Sequence, residues 1–247
     1  MGPLRLRVFF SEPATPITSR PAISASCTAA LPTPPVIREF LWGLLDGVVK
    51  GDTAHSARGK TLTVLMRIWV TVPPIAEPLR AAAIKTIRLA SSEERLAMHW
   101  AMSTACYPFF AEVATHVGKL LALNGHANLS QIVRRMTETW GDRSTLPRAI
   151  QRVLRSMVQW GAIREGGRKG IFMQPARRIV LSESLAELVV QAVLISHGGG
   201  MGLTQASSHS ASFPFDVRLN ASSARKSDQL RVLRQGDQTD FVELAVR

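Results

Sequence analysis

Apolar residues recur at helical spacing through residues 36–124. Intervals of three and four residues indicate amphipathic helices that each bury one face. Gly51, Pro73-Pro74 and Asn124-Gly125 interrupt this pattern, and residues of these types commonly end helices. Ser91–Glu94 is a suitable helix start because acidic side chains favour the first turn. The pattern predicts five helices, at 36–49, 57–72, 78–90, 92–107 and 109–124, which form a helical domain.

A shorter helix is predicted directly after this domain. Asn128 is a suitable N-cap for a helix over Leu129–Thr139, because its side chain can accept a hydrogen bond from a free backbone N–H. Ile132, Val133 and Met136 give this helix an inward face. A tight turn follows at Trp140–Arg143.

A second, longer helix follows the turn and ends at Trp160. Ser144 or Thr145 is expected to cap it, and Pro147 falls in its first turn, where a missing N–H is tolerated. Gly161 is the expected left-handed residue after its end. The predicted buried face holds Ile150, Val153, Leu154, Met157 and Val158. The predicted exposed face holds Arg148, Gln151, Arg152, Arg155 and Gln159.

The residues after Gly161 predict a β-hairpin. Two short apolar stretches, Ala162–Arg164 and Ile171–Met173, flank the glycine-rich, basic segment Glu165–Gly170. Such alternation of strand-forming and turn-forming residues is typical of a hairpin.

A helix, a turn, a longer helix ended by glycine and a basic hairpin together resemble the winged-helix family. The resemblance covers under a quarter of the chain, at about residues 124–180, and includes the pattern Leu154-x-x-Met157-Val158-x-x-Gly161-x-Ile163. In that family the longer helix enters the major groove and the hairpin follows an adjacent groove or the backbone. The resemblance implies DNA contacts from Arg143, Ser144, Thr145, Arg148, Gln151, Arg152, Arg155, Arg168 and Lys169.

The distribution of charge agrees with a polyanionic partner. The chain of 247 residues has a formal net charge of +12. Residues 131–178 hold 11 basic and three acidic side chains, a net +8. A general preference of the genome for arginine would not concentrate charge in this way. Basic proteins bind DNA, RNA or anionic surfaces, and arginine and glutamine suit guanine and adenine edges.

The layout also resembles the small winged-helix DNA-binding component of BREX-type bacterial phage-defence systems. This resemblance rests on the helical region, the stretch Tyr107–Val113, the turn from Trp140 to Ser144 and the winged-helix pattern, in that order. It implies a bacterial protein that acts within a larger complex.

The two ends of the chain differ in composition. Residues 1–35 are rich in proline, serine, threonine and alanine from residue 11 onward, which predicts a disordered tail. Beyond a winged-helix module at 125–180, the region 181–247 predicts a helix at Ser182–Ser196, a strand at Phe213–Asn220 and a hairpin from Leu230–Arg234 and Phe241–Val246. This hairpin is expected to form a small sheet or to extend the hairpin predicted after Gly161. The predicted fold class is mainly α.

Motifs for catalysis are weak. Ser207–Ser210 places serines beside His209 without the strand-turn-helix context of a nucleophile elbow. The glycine run at 198–202 follows a helix and lacks a Gly-Lys-Ser/Thr sequence. Cys27 and Cys106 are isolated and the histidines lie far apart, so we expect no metal site. We predict no enzymatic activity, no cofactor and no catalytic residue.

These observations predict a DNA-binding winged-helix protein, either a regulator or a subunit of a phage-defence complex. The alternative is a scaffold that uses the module to bind proteins. No apolar run reaches the roughly 20 residues that a membrane span requires, so we expect no membrane partner and a cytoplasmic location. The sequence does not distinguish DNA from RNA as the nucleic acid bound, and it does not define the oligomeric state.

Overall fold

The computed structural model describes residues 33–87, 89–235 and 239–245. The predicted tail therefore lies outside the described residues up to position 32, and the first helix already begins at Pro34. The chain divides into two compact units, between Thr71 and Val72. This division falls inside the helical domain predicted at 36–124, and residues 124 and 180 both fall within the second unit.

The first unit contains α1 (Pro34–Leu44) and α2 (Ala57–Trp69). Helix α1 ends five residues before the predicted end at Val49, because the chain turns through Gly47 with φ of +69°. Leu45 and Val49 nevertheless point inward and are buried with Leu62 and Met66 of α2. The apolar pattern of residues 36–49 therefore describes a helix followed by a turn that shares its core.

Arg58 is buried at the centre of the first unit. Its Nε donates to the carbonyl oxygen of Trp42 at 3.0 Å, and its Nη2 donates to the same oxygen. Its Nη1 donates to Asp46 at 3.0 Å, and its guanidinium lies 4.3 Å from the centroid of the Trp42 ring. One arginine thus joins α2 to the end of α1.

The second unit is built around two packed helices, α4 (Ser92–Cys106) and α8 (Glu183–His197), with α3 (Glu77–Ile87) against both. Ser91 and Glu94 form a capping box at the start of α4, as the acidic first turn predicted. Nearly every side chain from Leu96 to Cys106 in α4 is buried. These residues form the main core of the unit.

A mixed segment follows α4 and contains most of the region predicted as a module. It runs through α5 (Pro108–Asn124), β1 (His126–Asn128), α6 (Leu129–Trp140), α7 (Leu146–Gln159), β2 (Arg164–Glu165) and β3 (Ile171–Met173). The three strands form one antiparallel sheet in the order β1-β3-β2. Ala127 pairs with Phe172, and Glu165 pairs with Phe172 from the other side. The predicted hairpin is confirmed, whereas strand β1 was not predicted.

The C-terminal region forms two further small sheets. Strands β4 (Ile179–Val180) and β6 (Phe215–Asp216) pair in parallel. Strands β7 (Leu230–Gln235) and β8 (Thr239–Leu244) form the predicted hairpin, and β5 (Met201–Gly202) adds a third strand. This hairpin therefore forms a small sheet and does not extend the β2–β3 hairpin. The predicted strand at 213–220 is mostly wrong, because only Phe215 and Asp216 pair.

Short helices α9 (Leu203–Ser207) and α10 (Ala221–Lys226) connect these strands. The fold is mainly helical with small sheets, as predicted. No single helix in the described part of the chain is long and apolar enough to span a membrane, and only α2 taken together with residues 74–87 has that length and composition.

Candidate nucleic-acid interface

Helix α7 packs into the second unit through one aliphatic face. Leu146, Ile150, Leu154 and Met157 are buried at intervals of three and four residues. Val153 and Val158, which were predicted to be buried, are only half-buried. The buried face is therefore narrower than predicted and begins one turn earlier, at Leu146.

The C-terminal end of α7 has the predicted glycine stop. Gly161 has φ of +72°, its N–H donates to the carbonyl of Val158, and the N–H of Ala162 donates to Met157 at 2.9 Å. These two bonds define a Schellman motif, which satisfies the last carbonyl groups of the helix. Since Ala162 is buried, the motif also fixes where the chain leaves α7.

The N-terminal end of α7 is not capped by a side chain. Thr145 occupies the N-cap position, but neither it nor Ser144 accepts a backbone hydrogen bond there, so the predicted cap is wrong. The backbone at Thr145 is helical, with φ of −85° and ψ of −17°, and this conformation differs from the extended backbone of a typical N-cap. Arg143, Ser144 and Thr145 are all exposed in the loop that leads into the helix.

The outward face of α7 is a single polar row, which we call the α7 stripe. Its members are all exposed and recur at three- and four-residue spacing, so they lie along one side of the helix: Arg148, Gln151, Arg152 and Arg155. Gln159, the fifth residue predicted there, is only partly exposed. The stripe spans seven positions and about 10 Å at 1.5 Å per residue. Helix α7 contains no acidic residue.

The charges of the α7 stripe are not neutralised within the described chain. In residues 33–87, 89–235 and 239–245, no carboxylate forms an ion pair with Arg148, Arg152 or Arg155. Other arginines of the same region do have partners: Arg135 lies 4.0 Å from Glu138, and Arg177 lies 2.8 Å from Glu93. The stripe is therefore a surface where positive charge is concentrated.

The hairpin turn, Arg168–Ile171, carries the second group of predicted contacts. The N–H of Ile171 donates to the carbonyl of Arg168 at 3.1 Å, and Gly170 has φ of +82°. Glycine adopts this φ without the steric penalty that a side chain brings. Arg168 and Lys169 occupy the first two positions of the turn and are exposed.

A backbone hydrogen bond ties the hairpin turn to α6. The N–H of Leu129, the first residue of α6, donates to the carbonyl of Gly170 at 2.8 Å. Asn128, the predicted N-cap, accepts from the N–H of Ser130 at 3.0 Å. The basic turn thus lies beside the start of α6, in a fixed position relative to the sheet.

The predicted site residues form two groups. Arg143, Ser144 and Thr145 lead directly into the helix that carries the α7 stripe, while Arg168 and Lys169 lie in the hairpin turn. Two features that hold this region in place were not predicted from the sequence. Strand β1 is only three residues long, and the aromatic partners of Trp160 come from segments distant in sequence.

His99 and His209 are held in separate environments. Burial, followed by the charge of Arg95, lowers the pKa of His99 to about 4. His209 accepts a hydrogen bond from the N–H of Ala211, whereas the hydroxyl of Ser208 donates to the carbonyl of Thr204. His209 and Ser208 are therefore engaged separately. Among the residues that the structure describes, no three His, Cys, Asp or Glu side chains converge as metal ligands.

Comparison with known proteins adds no assignment: no family model, no curated protein and no solved structure matches the chain.

Proposed function

We propose that residues 125–180 form a winged-helix module that binds duplex DNA through the α7 stripe and the hairpin turn. The observation that carries the proposal is the α7 stripe, where three arginines and one glutamine are exposed on a helix without acidic residues. Arginine pairs with guanine edges and phosphates, and glutamine pairs with adenine edges. A helix with such a face suits the major groove of B-form DNA.

The order of elements supports this proposal. A short helix, a loop, a longer helix ended by Gly161 and a basic hairpin follow one another, and this is the order on which the winged-helix resemblance rests. The hydrogen bond from Leu129 to Gly170 holds the hairpin turn beside α6. The module therefore presents two basic surfaces from a rigid sheet and helix, and rigid elements position contacts more accurately than loops.

Duplex DNA is favoured over duplex RNA by the shape of the stripe. A-form RNA has a deep, narrow major groove that side chains on a helix do not read. The α7 stripe carries its polar groups on a regular helix, with no exposed aromatic side chain among them to stack on single-stranded bases. We assign no catalytic role to the protein; it acts as a regulator or as the targeting subunit of a phage-defence complex.

The proposal is tested by gel-shift titration of the full chain with duplex DNA, single-stranded DNA and RNA at two salt concentrations. We expect the tightest binding to duplex DNA, with weaker binding at the higher salt concentration. Arg148→Ala and Arg152→Ala should each reduce selectivity among duplex sequences. Lys85→Ala with Lys226→Ala is the matched control, since both lysines are exposed and lie outside residues 125–180. Absence of duplex binding at low salt contradicts the proposal.

A second candidate function is a protein–protein scaffold. Helix α1 exposes Val36, Phe40 and Leu44 by 55%, 68% and 45%, and these residues form one apolar row at four-residue spacing. Exposed apolar rows of this kind commonly contact other proteins. A scaffold role predicts that charge reversal at Arg148 and Arg152 leaves complexes with cellular partners intact, while the unmodified chain shows no DNA affinity.

A further inference from the structure

The C-terminal end of α7 enters an aromatic cluster in the core of the second unit. Trp160, the residue that ends α7, contacts the ring of Trp100 in α4 with centroids 6.2 Å apart and planes inclined by 68°. It also contacts Phe110 of α5, with centroids 6.0 Å apart. Edge contacts between aromatic rings prefer particular geometries, unlike aliphatic packing.

Trp100 connects Trp160 to a segment that lies more than fifty residues beyond Trp160 in the chain. Its ring meets Phe213 at 5.4 Å and Phe215 at 5.8 Å, and its Nε1 donates to the carbonyl of Ala211 at 2.8 Å. Trp100 is 1% exposed and Phe213 is 5% exposed. The cluster thus joins four separate segments of the chain in the core of the unit.

The two ends of α7 are held differently. The N-terminal end follows an exposed loop, Gly141–Thr145, and has no side-chain cap. At the other end, the Schellman motif around Gly161 closes the last turn of the helix, directly after Trp160. Leu146 and Ile150 bury the inner face of the N-terminal half, and the contacts of Trp160 with Trp100 and Phe110 add an aromatic anchor at the C-terminal end.

The length of α7 magnifies a change at that end. Arg148 precedes Trp160 by twelve residues, or about 18 Å along the helix at 1.5 Å per residue. A tilt of about 10° at Trp160 would displace Arg148 by about 3 Å, which exceeds the range over which a hydrogen bond keeps its geometry. Arg148 is the member of the stripe farthest from Trp160, so a tilt at Trp160 would displace it most.

We propose that Trp160 is the positioning residue of the DNA interface: its contacts with Trp100 and Phe110 set the direction of α7 and hence the place of the α7 stripe. This inference rests on the proposed function. It makes the segment around Phe213 part of the support for DNA binding, although that segment touches no DNA. Loss of the Trp160 ring should weaken selective binding more than general attraction to phosphate.

The test compares Trp160→Met with Trp160→Phe and with the control Trp140→Met in the full chain. Trp140 is also half-buried and ends a helix, α6, but its ring contacts Phe109 at 5.2 Å and its Nε1 donates to Glu112. Each variant is titrated with the best-bound duplex from a random-sequence pool and with the unselected pool. Affinities are corrected for the folded fraction measured by urea unfolding.

We expect Trp160→Met to bind the selected duplex at least about tenfold more weakly, equivalent to about 1.4 kcal/mol, and the unselected pool within about twofold of the unmodified chain. Trp160→Phe, which keeps a ring, should recover the selected duplex to within about threefold, since phenylalanine retains part of the edge contact. Trp140→Met should leave both affinities unchanged. Unchanged selectivity in Trp160→Met, or an equal loss in Trp140→Met, overturns the inference.

Amide hydrogen exchange separates this inference from the proposed function. Failure of the unmodified chain to bind any duplex contradicts the proposed function alone. In that case, faster exchange of residues 150–158 in Trp160→Met than in Trp140→Met supports the positioning of α7 by Trp160. Equal exchange in the two variants overturns the positioning of α7 by Trp160. If Trp160→Met does not fold, Trp160→Phe is compared with Trp140→Met in the same way.

Discussion

The N–H of Leu129 donates to the carbonyl oxygen of Gly170 at 2.8 Å, so the first residue of α6 holds the turn of the β2–β3 hairpin. These residues are 41 positions apart in sequence, and the bond continues the pairing of β1 with β3. The basic side chains of Arg168 and Lys169 are therefore presented from a fixed turn. Changes that strain this turn should affect both stability and DNA binding.

Gly170→Ala is expected to strain the hairpin turn. Gly170 has φ of +82°, and an added Cβ would lie 3.5 Å from the Cβ of Leu129, so backbone strain is the main effect. We expect a loss of about 1–2 kcal/mol in the free energy of unfolding, measured by urea denaturation. The control is Gly167→Ala, where a Cβ meets open space and φ is ordinary. Equal stability of the two variants would contradict this account of the turn.

Arg58→Met should destabilise the first unit. The side chain of Arg58 is 6% exposed, and it donates to the carbonyl of Trp42 and to Asp46. Removal leaves the Trp42 carbonyl without this donor, and hydrogen bonds that involve charged groups contribute about 1.5–3 kcal/mol. The measurement is urea unfolding of the full chain, followed by the fluorescence of its tryptophans.

The matched control for Arg58 is Asp52→Asn. Asp52 is 92% exposed and lies 3.5 Å from Arg58, a long contact. Exposed ion pairs of this kind contribute little, so we expect a change within about 0.5 kcal/mol. A larger effect of Asp52→Asn than of Arg58→Met would show that the ion pair with Asp52, rather than the bonds to Trp42, holds the unit together.

Stability of the second unit should fall on mild acidification. Burial, with a smaller contribution from the charge of Arg95, lowers the pKa of His99 from 6.5 to about 4. The unfolded chain therefore binds a proton at this residue more readily than the folded chain. The contribution of neutral His99 to the stability of the folded chain is complete above pH 6.5 and is lost as the pH falls toward 4. Burial also lowers the pKa values of His116 and His209.

This pH dependence is measured by urea unfolding between pH 7 and pH 5. We expect His99 alone to account for a loss of up to about 2 kcal/mol over this range. His99→Gln should show a flatter profile, since its side chain does not titrate. Identical slopes for the two proteins would contradict the assignment to His99.

Local regularities in the sequence were sufficient to predict most of the helices and the exposed face of α7. The spacing of Ile150, Leu154 and Met157 places one side of α7 inward, and Gly161 ends the helix as its position predicts. Both features follow from interactions within a few residues. The exposure of Arg148 and Arg152 is a direct consequence of the same helical period.

Features that depend on distant residues were not predicted. Strand β1 has three residues, too few for an alternating pattern, and exists because Ala127 pairs with Phe172. The contact of Trp160 with Trp100 joins helices whose residues lie sixty positions apart. Helix α1 ends before the predicted Val49, because an apolar period does not distinguish a helix from a helix followed by a turn.

The salt dependence of duplex binding tests the central claim most directly. The logarithm of the binding constant for B-form DNA falls linearly with the logarithm of salt concentration, with a slope of about −0.9 for each phosphate neutralised. Replacement of both Arg168 and Lys169 with alanine should therefore reduce the magnitude of the slope by about 1.8. The control, Lys85→Ala with Lys226→Ala, should leave it unchanged. Equal slopes for the unmodified chain and the Arg168, Lys169 variant would contradict DNA binding by the hairpin turn.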